Sequence, residues 1–221
     1  MSVWAIIFDV DGVLLELTRA EEELFFQPFA KRIDATQLSR DWNSYQIRND
    51  EEIVKEIVAR YRLPRHEAEV IRAEYLALLE SELAGSLKSV PIAGASELLA
   101  AFAPHARLGI ATANFRKAAE LRLAQAGMWT PVSGLAHGAD GGGHKADILA
   151  RTIAASGLPP EHVIFIGDNV NDVVAGRHTK AHFIGFTQDA ARRAKLVQAG
   201  ASLLAADHAE TTGHIRAILS A

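Results

Sequence analysis

Cysteine is absent from this 221-residue chain, which excludes disulfide bonds, thiolate nucleophiles and zinc–thiolate sites. A chain without disulfides suits the cytoplasm, and we expect it to work there. Long apolar runs are absent too. The first run, residues 3–8, ends at an aspartate and has no basic segment before it, so we expect neither a signal peptide nor a membrane-spanning helix.

Basic runs are also missing. The chain has 23 lysines and arginines against 27 aspartates and glutamates, for a formal net charge of −4, so we expect no nucleic-acid partner and no binding to an anionic membrane. A small anionic substrate would have to be met by local cations. The 49% hydrophobic content is enough for a buried core, and the length suits one domain with a modest insertion. The sequence leaves a monomer and a homodimer open.

The first apolar run leads into two carboxylates. Residues 3–8 have the pattern of a strand buried on both faces, as in a parallel sheet covered by helices. Asp9 and Asp11 follow at once, and Gly12 lets the backbone turn sharply. Two like charges so close need a cation or a proton, so the pair indicates a divalent metal, a raised pKa or both. An Asx-rich turn after a strand is the alternative interpretation.

A helical segment interrupts the chain after this strand. Apolar residues recur at helical spacing over residues 19–33, 52–62 and 66–83. Asn49 precedes the second of these helices with a glutamate three residues on, which is typical of a helix N-terminus. Gly85 and Pro91 bracket the exit of the segment. We therefore predict an all-helical insertion at residues 16–89, joined by two linkers to a core formed by residues 1–15 and 90–221.

Strands and helices alternate from Pro91 onward. Apolar segments at residues 107–111, 163–166, 183–186 and 201–204 predict strands, residues 128–135 predict a weaker one, and helical patterns lie between them. The alternation predicts an α/β fold with a Rossmann-like, doubly wound parallel sheet of five or six strands.

Polar residues follow several of these strands. Because parallel strands end at one edge of the sheet, groups far apart in sequence can converge there with Asp9 and Asp11. The candidates are Thr112 and Asn114 after one strand, Lys145 before a helix, and Asp168 and Asp172 after another strand. A cluster of carboxylates favours Mg²⁺ over zinc.

At these positions the chain resembles the haloacid dehalogenase (HAD) superfamily, in its phosphatase branch. D-V-D-G-V-L at residues 9–14 is similar to its first motif and G-D-N-V-N-D at residues 167–172 to its fourth. Thr112 and Lys145 stand where its second and third motifs would be. The helical insertion resembles the C1-type cap of this superfamily, which closes over the site.

The resemblance implies a role for each motif residue. Asp9 would be the nucleophile that forms an aspartyl phosphate, and Asp11 would act first as general acid and then as general base. The expected metal ligands are Asp9, the backbone carbonyl of Asp11, Asp168 and, through water, Asp172. The expected contacts to the phosphoryl oxygens are Thr112, Lys145, the backbone N–H of Ala113 and the helix start beyond Asn114.

The implied function is Mg²⁺-dependent release of phosphate from a small phosphorylated metabolite, for which phosphoglycolate is one example. Arg48 lies where relatives place a specificity loop and could pair with an anionic group such as a carboxylate. Its alternative is a solvated loop residue. At the level of function, a phosphomutase similar to β-phosphoglucomutase and a phosphate-binding module without turnover stay open as alternatives.

Overall fold

The computed structural model describes residues 3–34 and 36–220. Its parallel strands form one sheet in the order β3-β2-β1-β4-β5-β6, which confirms the predicted fold class. The strands are β1 (Ala5–Phe8), β2 (Arg107–Ala111), β3 (Ala136–His137), β4 (Val163–Gly167), β5 (His182–Phe186) and β6 (Leu203–Ala205). The strand order reverses direction at β1, between β2 and β4, and a crevice at such a switch point is where α/β sheets bind ligands.

Helices cover both faces of the sheet. The helices of the described chain are α1 (Arg19–Phe26), α2 (Asp50–Arg60), α3 (Glu67–Ala84), α4 (Ala95–Phe102), α5 (Arg116–Gln125), α6 (Trp129–Val132), α7 (Lys145–Ser156), α8 (Val170–Thr179), α9 (Ala190–Ala199) and α10 (His208–Leu219). Short 3₁₀ segments lie at residues 27–31, 42–44, 133–135 and 160–162.

Strand β1 is the centre of the core because both of its faces are buried. Ile6 and Phe8 pack into a hydrophobic cluster with residues of α4, α5 and α10. Ala5 and Ile7 point the other way, into a cluster with residues of α7 and α8. This alternation of side chains between two covered faces explains why the strand is apolar at every position.

Helices α1 to α3 share a hydrophobic cluster of their own, which includes Phe25 and Phe29 and reaches Phe115 of the sheet-bearing part. The two connecting segments run side by side. The N–H of Glu16 donates to the carbonyl of Val90 at 2.9 Å, and the N–H of Ile92 donates to that of Leu14 at 3.0 Å. The division of the chain at residues 15/16 and 89/90 stays a prediction.

Two predicted elements were wrong, and a proline accounts for part of each. Residues 128–135 form α6 and a 3₁₀ turn, and only Ala136 and His137 join the sheet; Pro131 suits the first turn of a helix because its missing N–H would be unpaired there anyway. The helix predicted over residues 19–33 ends at Phe26, since Pro28 has no N–H to continue the α-helical hydrogen bonds and a 3₁₀ segment follows.

Among the described residues, no helix combines the length and the apolar character that crossing a bilayer requires.

Candidate active site

The loop after β1 turns sharply at Gly12. This residue has a φ of 76°, in the left-handed region that glycine adopts without strain. A Cβ atom there would lie 2.4 Å from Oδ2 of Asp168. At the start of the loop, the N–H of Asp9 donates to the carbonyl of Ile166 at 2.9 Å. The loop after β1 therefore lies directly against the loop after β4.

Lys145, the first residue of α7, places its ammonium group between two carboxylates. Nζ is 2.7 Å from Oδ2 of Asp9 and 3.0 Å from Oδ1 of Asp172. Burial acts to lower the pKa of Lys145, but the charges of Asp172 and Asp9 outweigh it and raise the pKa above its usual value. The side chain therefore stays a cation next to Asp9.

Three buried carboxyl groups form an acidic group at the ends of β1 and β4. Asp9, Asp168 and Asp172 can each offer an oxygen that lies within 4.8 Å of the other two. Burial raises the pKa of Asp9 to about 8. The charge of Lys145 opposes this rise, and the charges of Asp172 and Asp168 add to it. Burial and Asp172 raise the pKa of Asp168 to about 6, against its ion pair with Arg192. Three carboxylates against the two cations Lys145 and Arg192 leave an excess of hard oxygen ligands, and their spacing fits a divalent cation such as Mg²⁺.

The side chain of Asp11 lies apart from this acidic group. Its Oδ1 accepts from Nη1 of Arg122 at 2.7 Å, and its Oδ2 accepts from Nδ2 of Asn114 at 3.0 Å. The expected contribution of Asp11 to a metal site was its backbone carbonyl, and that stays a prediction. Asp11 lines the same cavity as Asp9, so a molecule bound there would lie next to a carboxylate that Arg122 and Asn114 hold in place.

The loop after β2 contributes a hydroxyl and an amide. Thr112 is 1% exposed, and its Oγ1 accepts from the N–H of Asn114 at 3.2 Å. A threonine hydroxyl that accepts at its oxygen still has a proton to donate. Thr112, Ala113 and Asn114 all line the cavity, together with Lys145, so the structure brings together the predicted contacts to a phosphoryl group.

Arg48 reaches this cavity from the helical insertion. Its Nε is buried and has no hydrogen-bond partner among the described residues. Arg48 is a permanent cation on the wall of the cavity, so an anion bound in the cavity would be attracted to it. This position does not fit the alternative interpretation of Arg48 as a solvated loop residue.

The cavity itself has a volume of about 490 Å³, which is in the range of small-molecule sites. Its floor is the acidic group with Lys145. The helical insertion and its entrance linker form the opposite wall, with the residues Glu16, Leu17, Glu21, Glu22, Phe25, Trp42, Arg48, Asn49, Asp50, Ile53 and Tyr75. Phe25 therefore packs within the insertion and also borders the cavity.

Asn49 and Asp50 join the insertion to the loops of the floor. Asn49 is the N-cap of α2, as predicted, because its side chain accepts from the N–H of Glu52. It also donates from Nδ2 to the carbonyl of Gly143 at 2.6 Å. The N–H of Asp50 donates to the carbonyl of Ala113 at 2.9 Å, and its Oδ2 accepts from the N–H of Phe115 at 2.7 Å. The insertion is thus hydrogen-bonded to both loops that bear candidate phosphate contacts.

Asp50 makes the stability of the protein depend on pH. Burial raises its pKa to about 8; the hydrogen bond from Phe115 and the charge of Arg122 oppose the rise, and Asp11 and Asp140 add to it. The folded state therefore keeps a proton that the unfolded chain releases above its ordinary pKa of 3.8. Burial of Asp50 therefore lowers the free energy of unfolding as the pH rises. This destabilisation is absent at pH 3, grows between pH 3.8 and about pH 8, and is complete above about pH 8.

We expect Asp50→Asn to remove this destabilisation, because the amide is neutral at every pH and its oxygen can still accept from Phe115. The gain in the free energy of unfolding over wild type should rise by up to about 1 kcal/mol per pH unit between pH 4 and pH 8. Urea unfolding at several pH values measures it. Asp41→Asn, at an exposed N-cap, is the matched control and should show no such trend. Parallel pH curves for wild type and Asp50→Asn would contradict the assignment.

The charged residues of the site that were not predicted from the sequence include Arg122, Arg192, Asp50 and Glu21. A signal existed for Arg122, because it stands three and four residues after Ala119 and Ala118, on the buried face of α5. A charged residue in the apolar stripe of a helix needs a partner. Asp50 follows the predicted N-cap Asn49, but nothing in the local sequence shows that its carboxylate is buried, and nothing there marks Arg192.

The comparison with protein families adds to this geometry. The family model of haloacid dehalogenase-like hydrolases matches residues 4–178. The chain belongs to this family. No curated protein sequence matches this HAD-like hydrolase significantly.

Solved structures share the fold of this HAD-like hydrolase at low sequence identity. A predicted phosphatase from Clostridium acetobutylicum has a TM-score of 0.71 at 17% identity, covering 97% of this chain and 99% of the other. A putative β-phosphoglucomutase from Bacteroides vulgatus has a TM-score of 0.70 at 16% identity, and the match covers 99% of this chain and 89% of the other. A mutant of CbbY from Rhodobacter sphaeroides in complex with xylulose-(1,5)bisphosphate has a TM-score of 0.68 at 21% identity. That match covers 93% of this chain and 95% of the other.

Proposed function

We propose that this HAD-like hydrolase removes phosphate from a small phosphorylated metabolite through a phosphoryl group carried on Asp9. One observation supports the proposal above all: Asp9 lies buried with Lys145 and two further aspartates in a cavity that Asp11 also lines. The helices of residues 16–89 would act as a cap over the core of residues 1–15 and 90–221.

The reaction would run in two steps. An oxygen of Asp9 attacks phosphorus, the bond to the leaving oxygen breaks, and Asp11 gives that oxygen a proton. Asp11 then takes a proton from water, the water oxygen attacks phosphorus, and the bond to Asp9 breaks to release inorganic phosphate. Lys145 and Thr112 would bind the other phosphoryl oxygens, with the N–H of Ala113 and the side chain of Asn114.

The acidic group would hold Mg²⁺ through Asp9 and Asp168, with Asp172 acting through water and the backbone carbonyl of Asp11 as a further ligand. When bound, the ion offsets negative charge between the nucleophile and the phosphoryl oxygens. The raised pKa of Asp9, about 8, supports this assignment, because a nearby cation would favour the ionised nucleophile.

Measuring inorganic phosphate from p-nitrophenyl phosphate, phosphoglycolate and β-glucose 1-phosphate, with Mg²⁺ and with EDTA, tests the function. We expect release with Mg²⁺ and a loss of at least about 100-fold with EDTA. Conversion of glucose 1-phosphate into glucose 6-phosphate without phosphate release would instead establish the mutase alternative. The similarity to the Bacteroides vulgatus structure is the reason to test for it. Absence of turnover with every ester would leave a binding module.

Arg48 would bind the part of the substrate that is not transferred, because its cationic side chain lines the cavity. For Arg48→Leu we expect the KM for phosphoglycolate, whose carboxylate can pair with arginine, to rise about 10- to 100-fold, the value of a hydrogen bond between charged groups. Turnover of p-nitrophenyl phosphate should change little. Arg65→Leu, an exposed position on the insertion, is the control. Equal losses on both esters would argue against the assignment.

A further inference from the structure

Arg122 is a buried arginine that joins four segments of the chain. It lies on α5 with a side chain that is 2% exposed. Nε donates to Oε1 of Glu21 at 2.7 Å, Nη1 to Oδ1 of Asp11 at 2.7 Å and Oδ1 of Asn114 at 3.2 Å, and Nη2 to the carbonyl of Glu16 at 3.0 Å. These partners belong to α1, the loops after β1 and β2, and the entrance linker.

The contacts fix the orientation of the Asp11 carboxylate. Arg122 holds one carboxylate oxygen of Asp11, and Asn114 holds the other at 3.0 Å. Asn114 is itself oriented by Arg122, which donates to its side-chain oxygen. A closed triangle of hydrogen bonds therefore sets the direction in which Asp11 faces the cavity.

Glu21 ties the same triangle to the insertion. Its side chain is 2% exposed, so its charge needs a partner, and Arg122 is that partner. Its other oxygen, Oε2, accepts from the N–H and the hydroxyl of Thr18 at 2.9 Å and 2.8 Å. Thr18 is the N-cap of α1. A continuous chain of hydrogen bonds thus runs from the first turn of the insertion through Glu21 and Arg122 to Asp11.

Stability alone gives little reason for such a group. Burying a charged triad costs desolvation that its internal attractions often only balance, and apolar side chains of similar volume can replace it without loss. Here both Arg122 and Asp11 line the cavity, and Asp11 is the residue to which the proposed function gives both proton transfers. The desolvation cost of burying these charges is then explained by the need to orient the carboxylate of Asp11.

We propose that Arg122 is a positioning residue that sets the carboxylate of Asp11 for proton transfer and, through Glu21, makes that setting depend on the docked position of the insertion. The inference rests on the proposed function, because it assigns Arg122 to a step of that reaction.

Leaving-group dependence separates this role from a structural one. The quantity to measure is kcat/KM, which reports the step in which the alcohol departs, for p-nitrophenyl phosphate and phenyl phosphate. p-Nitrophenolate leaves without a proton, whereas phenolate gains from one. For Arg122→Lys we expect a loss of about 10- to 100-fold on phenyl phosphate, part of the contribution of a general acid, and less than about threefold on the nitrophenyl ester.

Glu21→Gln is the second variant, since the glutamine keeps an oxygen that can accept from Arg122. If Arg122→Lys does not fold, this variant alone tests whether Arg122 positions Asp11. We expect the same selective loss, about 3- to 10-fold on phenyl phosphate. Glu120→Gln, which removes a half-buried carboxylate that pairs with Arg116 and Lys117 on the same helix, should leave the rates on both esters unchanged.

The Asp11→Asn background supplies the decisive comparison. If Arg122 acts through Asp11, adding Arg122→Lys to Asp11→Asn should lower kcat/KM for phenyl phosphate no further. A further fall, or equal losses on both esters in the single variants, overturns the inference while the proposed function stands. If the wild type releases no phosphate from either ester, the proposed function fails and takes the inference with it.

Discussion

Asp9→Asn is expected to abolish phosphate release, by about 10⁴-fold or more in kcat. An amide oxygen is a poor nucleophile and cannot form the acyl phosphate that divides the reaction into two displacements. The substitution also removes the carboxylate that lies 2.7 Å from Lys145. The fold should survive, because one of three mutually repelling buried carboxylates becomes neutral.

Phosphate release at saturating Mg²⁺, together with the melting temperature, checks this prediction. The variant should melt within a few degrees of wild type, and the intact wild-type protein quenched in acid should carry the mass of one phosphoryl group that Asp9→Asn lacks. Asp41→Asn, at an exposed N-cap, is the control for the chemistry of the substitution. Turnover of Asp9→Asn at the wild-type rate would end the proposal that Asp9 is the nucleophile.

Lys145→Met is expected to damage both activity and stability. The ammonium is the group that neutralises Asp9 and Asp172 in the described site, and its side chain is 8% exposed. Removing one partner of a buried ion pair leaves uncompensated charge, at a cost of about 3–5 kcal/mol in the free energy of unfolding. The loss of a cation near the phosphoryl oxygens should lower kcat/KM by about 10²- to 10³-fold.

The response to Mg²⁺ distinguishes this loss from general damage. Without the ammonium, the carboxylates attract a divalent cation more strongly, so Mg²⁺ should raise the melting temperature of Lys145→Met more than that of wild type. Lys195→Met, exposed on α9, should behave as wild type with and without Mg²⁺. An equal effect of Mg²⁺ on Lys145→Met and wild type would contradict the placement of Lys145 beside the metal ligands.

The convergence of the site could be predicted because it depends on sheet topology. Asp9 and Asp168 each follow a short, wholly buried strand, and such strands end at one edge of a parallel sheet. Lys145 could be included since it begins a helix on the same edge. The strand predicted at residues 128–135 was wrong for a local reason. The strand that forms just beyond them, β3, is only two residues long, and a hydrophobic period cannot be recognised over so short a segment.

The contacts between the insertion and the core could not be predicted in this way. The partners of Arg122 lie 8 to 111 positions away in sequence, and the contact between Asn49 and Gly143 spans 94. Hydrophobic patterns report which face of an element is buried, not which side chain will lie opposite. Nor does the run of three glycines at 141–143 show in advance that each adopts a positive φ in a loop that meets the insertion.

The paired linkers have a consequence for how such proteins diversify. Because residues 14–16 and 90–92 are hydrogen-bonded neighbours, the chain leaves the sheet and returns to it at almost the same point. An insertion of another size, or a short turn, could be joined at these positions while the strand before Asp9 keeps its place. Exchange of one continuous gene segment would thus replace the part of the cavity lining that the insertion supplies and leave Asp9 and Lys145 in place.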